Sequence, residues 1–173
     1  MEKYLSSATK FLSGIGPDHR GRTLGEILEY DDGDLESQHD FIQWLFPSEE
    51  ASKFNPDAPV LSRPEFEELR RHPVAVEGVL RAFVRMLSFY GLQLSAPNVV
   101  SKGPNWDQRY SNWALGAGHN DLRITRIIKC LVLLSLTEEA TALVSFLESE
   151  FSSQPARSES LSYWRWALNR APK

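Results

Sequence analysis

The chain has a single cysteine, Cys130, so no intramolecular disulfide can form, and the disulfide-stapled secreted folds are excluded. Long apolar runs are also missing. The greasiest window, Ile127 to Leu136, is interrupted by Lys129 and falls well short of the ~20 residues that a membrane span needs. The first residues, Met1-Glu2-Lys3-Tyr4-Leu5-Ser6, hold no stretch resembling a signal peptide. These absences lead us to expect an intracellular protein, cytoplasmic or nuclear, with no membrane span. Positive charge is not in excess either. A formal charge of −4 argues against a nucleic-acid partner held by bulk electrostatics.

The signatures of common catalysts are absent too. There is no Gly-rich phosphate loop, no Cys pair or His-Glu-x-x-His for zinc, and no Gly-x-Ser-x-Gly elbow. Asp31-Asp32-Gly33-Asp34 lacks full calcium-loop spacing and reads as a turn followed by a helix cap. No metal and no cofactor are therefore expected. Cys130, set among Leu131, Val132 and Leu133, reads as a buried inert thiol.

What is present is helical periodicity. At 173 residues the chain is of single-domain size, able to bury roughly two-thirds of its unfolded surface. Hydrophobic residues at 42% and charged residues at 24% are ordinary for a globular protein. A first helix is expected over Lys3 to Leu12, ended by Gly14 and Gly16-Pro17. Thr23 caps a short helix through Leu28, and Asp34 caps one that runs to Phe46, where Pro47 stops it.

Pro47 to Leu61 reads as an extended loop. Ser62 and Glu65 have capping-box spacing, with Pro64 in the first turn, and His72-Pro73 interrupts that helix. The longest helix follows, Val74 to Tyr90, with Val76, Val79, Leu80, Phe83, Leu87 and Tyr90 inward and Glu77, Arg81 and Arg85 outward, until Gly91 ends it. Ser95 to Pro104 reads as a second loop, and Asn105 caps a helix through Trp113. Gly116 and Gly118 break the chain before a helix from His119. Thr137 caps another through Phe151, and Ser158 opens the last, with Leu161, Trp164 and Leu168. No run alternates convincingly with period two. The expected fold is all-α, a single compact bundle of about seven helices over residues 1–173.

The most informative stretch is His119-Asn120-Asp121-Leu122-Arg123-Ile124-Thr125-Arg126-Ile127-Ile128. Ile124, Ile127, Ile128, Leu131 and Leu134 recur at helical spacing, Arg123, Arg126 and Lys129 fall on another side, and His119 and Asn120 could cap the helix. A second unusual string is His39-Asp40-Phe41-Ile42-Gln43-Trp44-Leu45-Phe46-Pro47.

These two strings, with Met86-Leu87-Ser88-Phe89-Tyr90-Gly91 between them, carry a resemblance. In order and spacing the chain resembles the conserved N-terminal region of the opioid growth factor receptor family, from about residue 23 to about 170. Asp121 stands where that family usually has a second asparagine, and Asp40 follows His39 where a small polar residue is common. Each change adds an acid beside a histidine. The resemblance implies a helical fold, read here as a compact stand-alone form, and a ligand-binding or interaction role. The family's vertebrate member is a nuclear-associated receptor for a short opioid peptide.

Within the strings, His39 and His119 are candidate acid–base groups, although either could serve only a cap or a backbone carbonyl. Arg123 and Arg126 offer forks for carboxylate or phosphate, or else are structural arginines bonded to Asp40, Asp107 or Glu36. Asn120 and Gln43 complete the polar set. The tryptophans Trp44, Trp106, Trp113, Trp164 and Trp166 read mainly as core, with Trp106 and Trp113 able to line a pocket mouth. Two functions follow: a binding domain for a small-molecule or peptide ligand, or a small cofactor-independent enzyme that cyclises or isomerises an anionic substrate. Oligomeric state is not legible.

Overall fold

The computed structural model describes residues 5–170. It divides into two compact units, residues 1–85 and 86–173. Among the described residues the architecture is mostly helical, with ten α-helices, one 3-10 turn and one two-stranded sheet. The all-α reading thus holds broadly. The count of about seven is corrected to ten, in part because the one helix expected from Asp34 to Phe46 is two.

In the first unit, α1 (Ser7–Leu12) begins where the Ser6 hydroxyl accepts the Thr9 N–H at 3.1 Å. Lys3 and Tyr4, the expected start, lie outside the described residues. A reciprocal capping box between Thr23 and Glu26 opens α2 (Leu24–Leu28). The helix expected from Asp34 to Phe46 is in fact two. Asp31, not Asp34, caps α3 (Asp32–Ser37), Gln38 turns extended, and α4 (Ile42–Leu45) follows. α5 (Arg63–Arg70) carries the Ser62–Glu65 box and an early proline, as read. Phe11, Leu12, Ile27, Leu35, Phe41, Phe46, Phe66 and Leu69 fill the core of this unit.

α6 (Pro73–Phe89) runs through the boundary at residue 85. Its buried row is Ala75, Gly78, Val79, Ala82, Phe83 and Met86, while Val76 and Leu80 are only half-buried. The shift follows from Gly78, where an added Cβ would lie 2.0 Å from the Leu12 carbonyl oxygen. Backbone approaches backbone there, which turns the small residues inward. Arg85 is not a free outer residue. Its Nη2 donates to the Tyr30 carbonyl at 2.7 Å and to Asp32 at 2.9 Å.

The second unit opens with a hairpin in place of the expected loop. β1 (Leu92–Ser95) pairs antiparallel with β2 (Val99–Lys102), and Asn98 takes a left-handed φ of 75° at the turn. α7 (Trp106–Trp113) follows Asn105, whose side chain does not cap it and instead donates to the Ser88 carbonyl at 2.9 Å. α8 (His119–Leu133), α9 (Thr137–Phe151) and α10 (Ser158–Leu168) pack on one another and form the body of the unit. Thr137 is the first residue of α9, and no side chain caps that helix. The whole predicted stripe of α8, Ile124, Ile127, Ile128, Leu131 and Leu134, is buried. Edge-to-face ring pairs link Tyr90 to Trp113 and Trp113 to Phe151 at 5.2 and 5.5 Å.

Candidate functional site

A concave feature built from the family strings lies at the head of α8. Gly118 occupies the N-cap in an extended conformation and offers no side-chain hydrogen bond. His119 and Asn120 are therefore the first helical residues rather than caps. The end of α7, the 114–118 loop and this helix start enclose a cleft of about 240 Å³, walled by Ser111 to Trp113 and Leu115 to Asn120. Three residues selected from the sequence, Trp113, His119 and Asn120, meet on its walls. His119 is exposed, whereas Asn120 and Trp113 are buried. The walls offer amide, hydroxyl and imidazole groups, suited to hydrogen-bonding a polar ligand and, through His119, to acid–base chemistry.

Arg123 stands one turn behind the cleft. Its exposure is 4%, and its Nη1 donates to Asn120 Oδ1 at 3.3 Å. Arg123, expected on the polar side of α8, is buried instead. Leu122 is the exposed residue at 61%, and the Arg123 fork turns back along its own helix. Arg126 is half-buried.

Beneath the cleft lies a charged pair that sequence reasoning missed. Arg157 is fully buried, and its guanidinium grips both oxygens of Asp121, Nη2 to Oδ1 at 2.8 Å and Nη1 to Oδ2 at 3.2 Å. Ser160 donates to the same carboxylate at 2.6 Å. The rings of Phe151, Trp164 and Trp113 surround the cation at 5.0, 5.1 and 6.0 Å. Arg157 Nη1 also donates to the Gly116 carbonyl at 2.7 Å, which ties the cleft's loop to the core. The acid at position 121 was a usable signal. Its partner lies 36 residues further along the chain, and only packing reveals it.

The first unit holds His39, Gln43 and Trp44. His39 is exposed between α3 and α4, and its carbonyl accepts the Gln43 amide at 3.2 Å. Asn55 Nδ2 donates to the Asp40 carbonyl at 3.1 Å, and Gln43 is buried beside it. Trp44 is core, in edge contact with Phe11 at 5.5 Å and stacked on His19 at 6.0 Å. Its indole N–H makes no hydrogen bond among the described residues. Asp40 is the centre of a second ionic network. It meets Arg20 at 2.6 Å, Arg22 at 3.1 Å and His19 at 3.6 Å. Arg22 also pairs with buried Asp18 at 2.6 Å. Burial alone would raise the Asp18 carboxyl, but hydrogen bonds from the Arg22 side chain and from the Arg22 and Arg20 backbone outweigh it and hold it below the usual carboxylate range.

Trp106, Trp113 and Trp164 are buried, in line with the core reading, whereas Trp166 is 52% exposed. A larger groove of about 630 Å³ runs along β2 and α9, lined by residues such as Val99, Thr141, Ala142, Ser145 and Phe146. It holds none of the sequence-selected residues, and its one charged wall residue, Glu138, accepts a hydrogen bond from Asn98 at 2.9 Å. Polar groups converge instead on the smaller cleft, where Ser111, Asn112, His119 and Asn120 share the wall. Among the described residues no group of three or more His, Cys, Asp or Glu could hold a metal ion, and no helix is long and apolar enough to cross a membrane.

A family model described as the opioid growth factor receptor (OGFr) conserved region matches residues 22–173, which takes in both family strings and the whole α8 cleft. The chain belongs to this family. Within it, the opioid growth factor receptor of Mus musculus is 36% identical over 140 residues, 78% of this chain and 22% of that protein. Opioid growth factor receptor-like protein 1 of Xenopus tropicalis is 41% identical over 115 residues, 64% of this chain and 22% of that protein. The Homo sapiens opioid growth factor receptor is 38% identical over 120 residues, 67% of this chain and 17% of that protein. This conserved-region chain thus spans about a fifth of the length of these relatives. No solved structure matches it.

Proposed function

We propose that this chain, acting as one helical domain over residues 1–173 with its family core at about 23–170, is an intracellular ligand-binding module whose site is the cleft at the head of α8. The supporting observation is that Trp113, His119 and Asn120 line one cavity. Size narrows the ligand. A volume of about 240 Å³ lies below the roughly 300–1,000 Å³ of drug-sized pockets, so the cleft takes a small molecule or the end of a peptide and not a whole helix. The relatives' name, opioid growth factor receptor, favours a peptide. His119, exposed at the rim, orients the ligand's polar end, and Asn112 and Ser111 supply further donors and acceptors.

Isothermal titration with the opioid growth factor of the relatives' name tests the reading. Binding that weakens about tenfold or more in His119→Ala is the expected result. No heat, or an affinity that His119→Ala leaves unchanged, contradicts it. A second reading uses the same histidine as an acid–base group in a cofactor-independent cyclisation or isomerisation, and is supported by His119's place on the cleft wall. It requires a chemically altered ligand after incubation with the wild-type chain and none with His119→Ala.

A further inference from the structure

The sheet of the second unit has two strands, so β2 pairs with β1 on one side only. Its register decides which of its backbone groups are used. The Gly103 N–H donates to the Gly91 carbonyl at 2.8 Å, one step beyond the Leu92–Lys102 pair. Bonded and non-bonded pairs alternate along an antiparallel ladder. Gln93–Ser101 and Ser95–Val99 are therefore the bonded pairs, and Leu92–Lys102 and Leu94–Val100 are not. The N–H and C=O of Val100 and Lys102 point away from β1, and among the described residues no hydrogen bond meets them. Val100 lines the groove of about 630 Å³ between β2 and α9, and α9 packs on β2, so this edge borders the groove. The helical wall offers the short side chains of Thr141, Ala142 and Ser145 beside half-buried Phe146. From Thr137 to Ser149 that wall is about 18 Å long at ~1.5 Å per residue. Such a length suits about five residues of extended chain.

We propose that the groove takes an extended segment of a partner protein, which adds to β2 as a third strand and turns a lysine or arginine toward Glu138. The unpaired edge selects the backbone, because donors and acceptors that recur every second residue are met by another strand. Short wall residues leave room for alternate apolar side chains of that segment, over Val100, Ala142 and Phe146. Charge selects the rest. α9 carries four acids, Glu138, Glu139, Glu148 and Glu150, and no lysine or arginine. Glu148 and Glu150 pair with Arg165 and Lys102. Glu138 is exposed on the groove wall, and its one hydrogen bond among the described residues comes from the neutral Asn98 amide, which supplies no opposite charge. A nucleic-acid strand would bring phosphate to that acid, and the β2 edge of a second copy would bring its own acidic α9. The groove shares no lining residue with the cleft at the head of α8, so its test does not depend on that reading.

The probes are two fluorescein-labelled peptides of alternating valine and threonine, one with lysine at its first position and one with lysine at its last, followed by anisotropy against the full chain. We expect one of them to bind. Ser145→Tyr, which fills the groove from an exposed position, should weaken binding about tenfold or more. Glu138→Gln should weaken it about fivefold, and salt should reduce that difference. Both side chains are exposed, so the variants keep the native circular dichroism, which is checked in parallel. Peptides N-methylated on alternate amides separate strand addition from plain apolar contact. Methylation of the amides that face β2 should abolish binding, and methylation of the other set should leave it intact. No binding by either peptide, binding indifferent to both substitutions, or equal binding of the two methylated sets overturns the proposal. Self-association lost on Ser145→Tyr would assign the groove to a second copy of the chain, and also overturns it.

Discussion

Arg157 grips both carboxylate oxygens of Asp121 inside a cage of Trp113, Phe151 and Trp164, and the same guanidinium donates to the Gly116 carbonyl. One buried cation thereby fixes the first turn of α8 and the loop that walls the cleft. Removing either member leaves the other charge buried and uncompensated. Arg157→Leu and Asp121→Leu should each cost about 3–5 kcal/mol, and the double leucine variant should recover most of that loss. Urea denaturation of the four proteins checks this. Additive losses would mean that the two groups do not act as a pair.

Asp18 predicts an acid limb of stability. Its folded pKa is depressed below an unfolded value of about 3.9, chiefly because the bonds from Arg22 and the backbone outweigh burial. Its contribution is therefore complete above about pH 4 and is lost as pH falls through the lower folded value. Asp18→Asn should be less stable at neutral pH and should lose less on acidification than wild type. Melting temperature followed from pH 6 downward measures it, and parallel curves for the two proteins would refute it.

Cys130 should be inert. It has no exposed surface, and burial pushes its thiol up to about 12, only partly opposed by the Arg126 charge. The thiolate fraction at neutral pH is then on the order of 10⁻⁵, far too small for nucleophilic chemistry. A thiol-specific chromogenic reagent should label the chain only in denaturant, and fast labelling of the native protein would contradict the burial.

Two glycines are set by close approach. Gly91 has φ +78°, and an added Cβ would lie 2.8 Å from the Trp106 Cα, while at Gly78 it would meet the Leu12 oxygen at 2.0 Å. Alanine at either position should destabilise by about 1–3 kcal/mol or more, through backbone strain at the first and overpacking at both. Thermal denaturation tests this, and an unchanged transition at Gly78→Ala would show that α1 and α6 separate without cost.

The long helices were legible because each carries a complete apolar stripe. Ile124 to Leu134 on α8 needs no tertiary information to be read. The Ser62–Glu65 box was legible for the same reason, being local. The 34–46 segment misled because its pattern is helical throughout, yet Asp40 is drawn into the ion pairs with Arg20 and Arg22, and the chain turns extended at Gln38. The hairpin escaped because its strands span four residues each, too short for alternation to register. In the candidate site, Trp113, His119 and Asn120 lie within a few residues of one another, so a single helix–loop–helix brings them together. Arg157 could not be found that way, since its carboxylate partner is distant in sequence. The acids at positions 40 and 121 were conspicuous as departures from the family. Asp40 pairs with Arg20 and Arg22 and also lies 3.6 Å from His19, while Asp121 neutralises the buried Arg157.

The most direct test of the ligand-binding account is a nitrogen-15 NMR titration of the chain with the opioid growth factor of the relatives' name, watching the Trp113 indole and the backbone amides of residues 111–120. The account predicts saturable shifts concentrated in those signals, which His119→Ala moves to about tenfold or more higher ligand concentration. Shifts confined to other parts of the chain, or none at all, would contradict it.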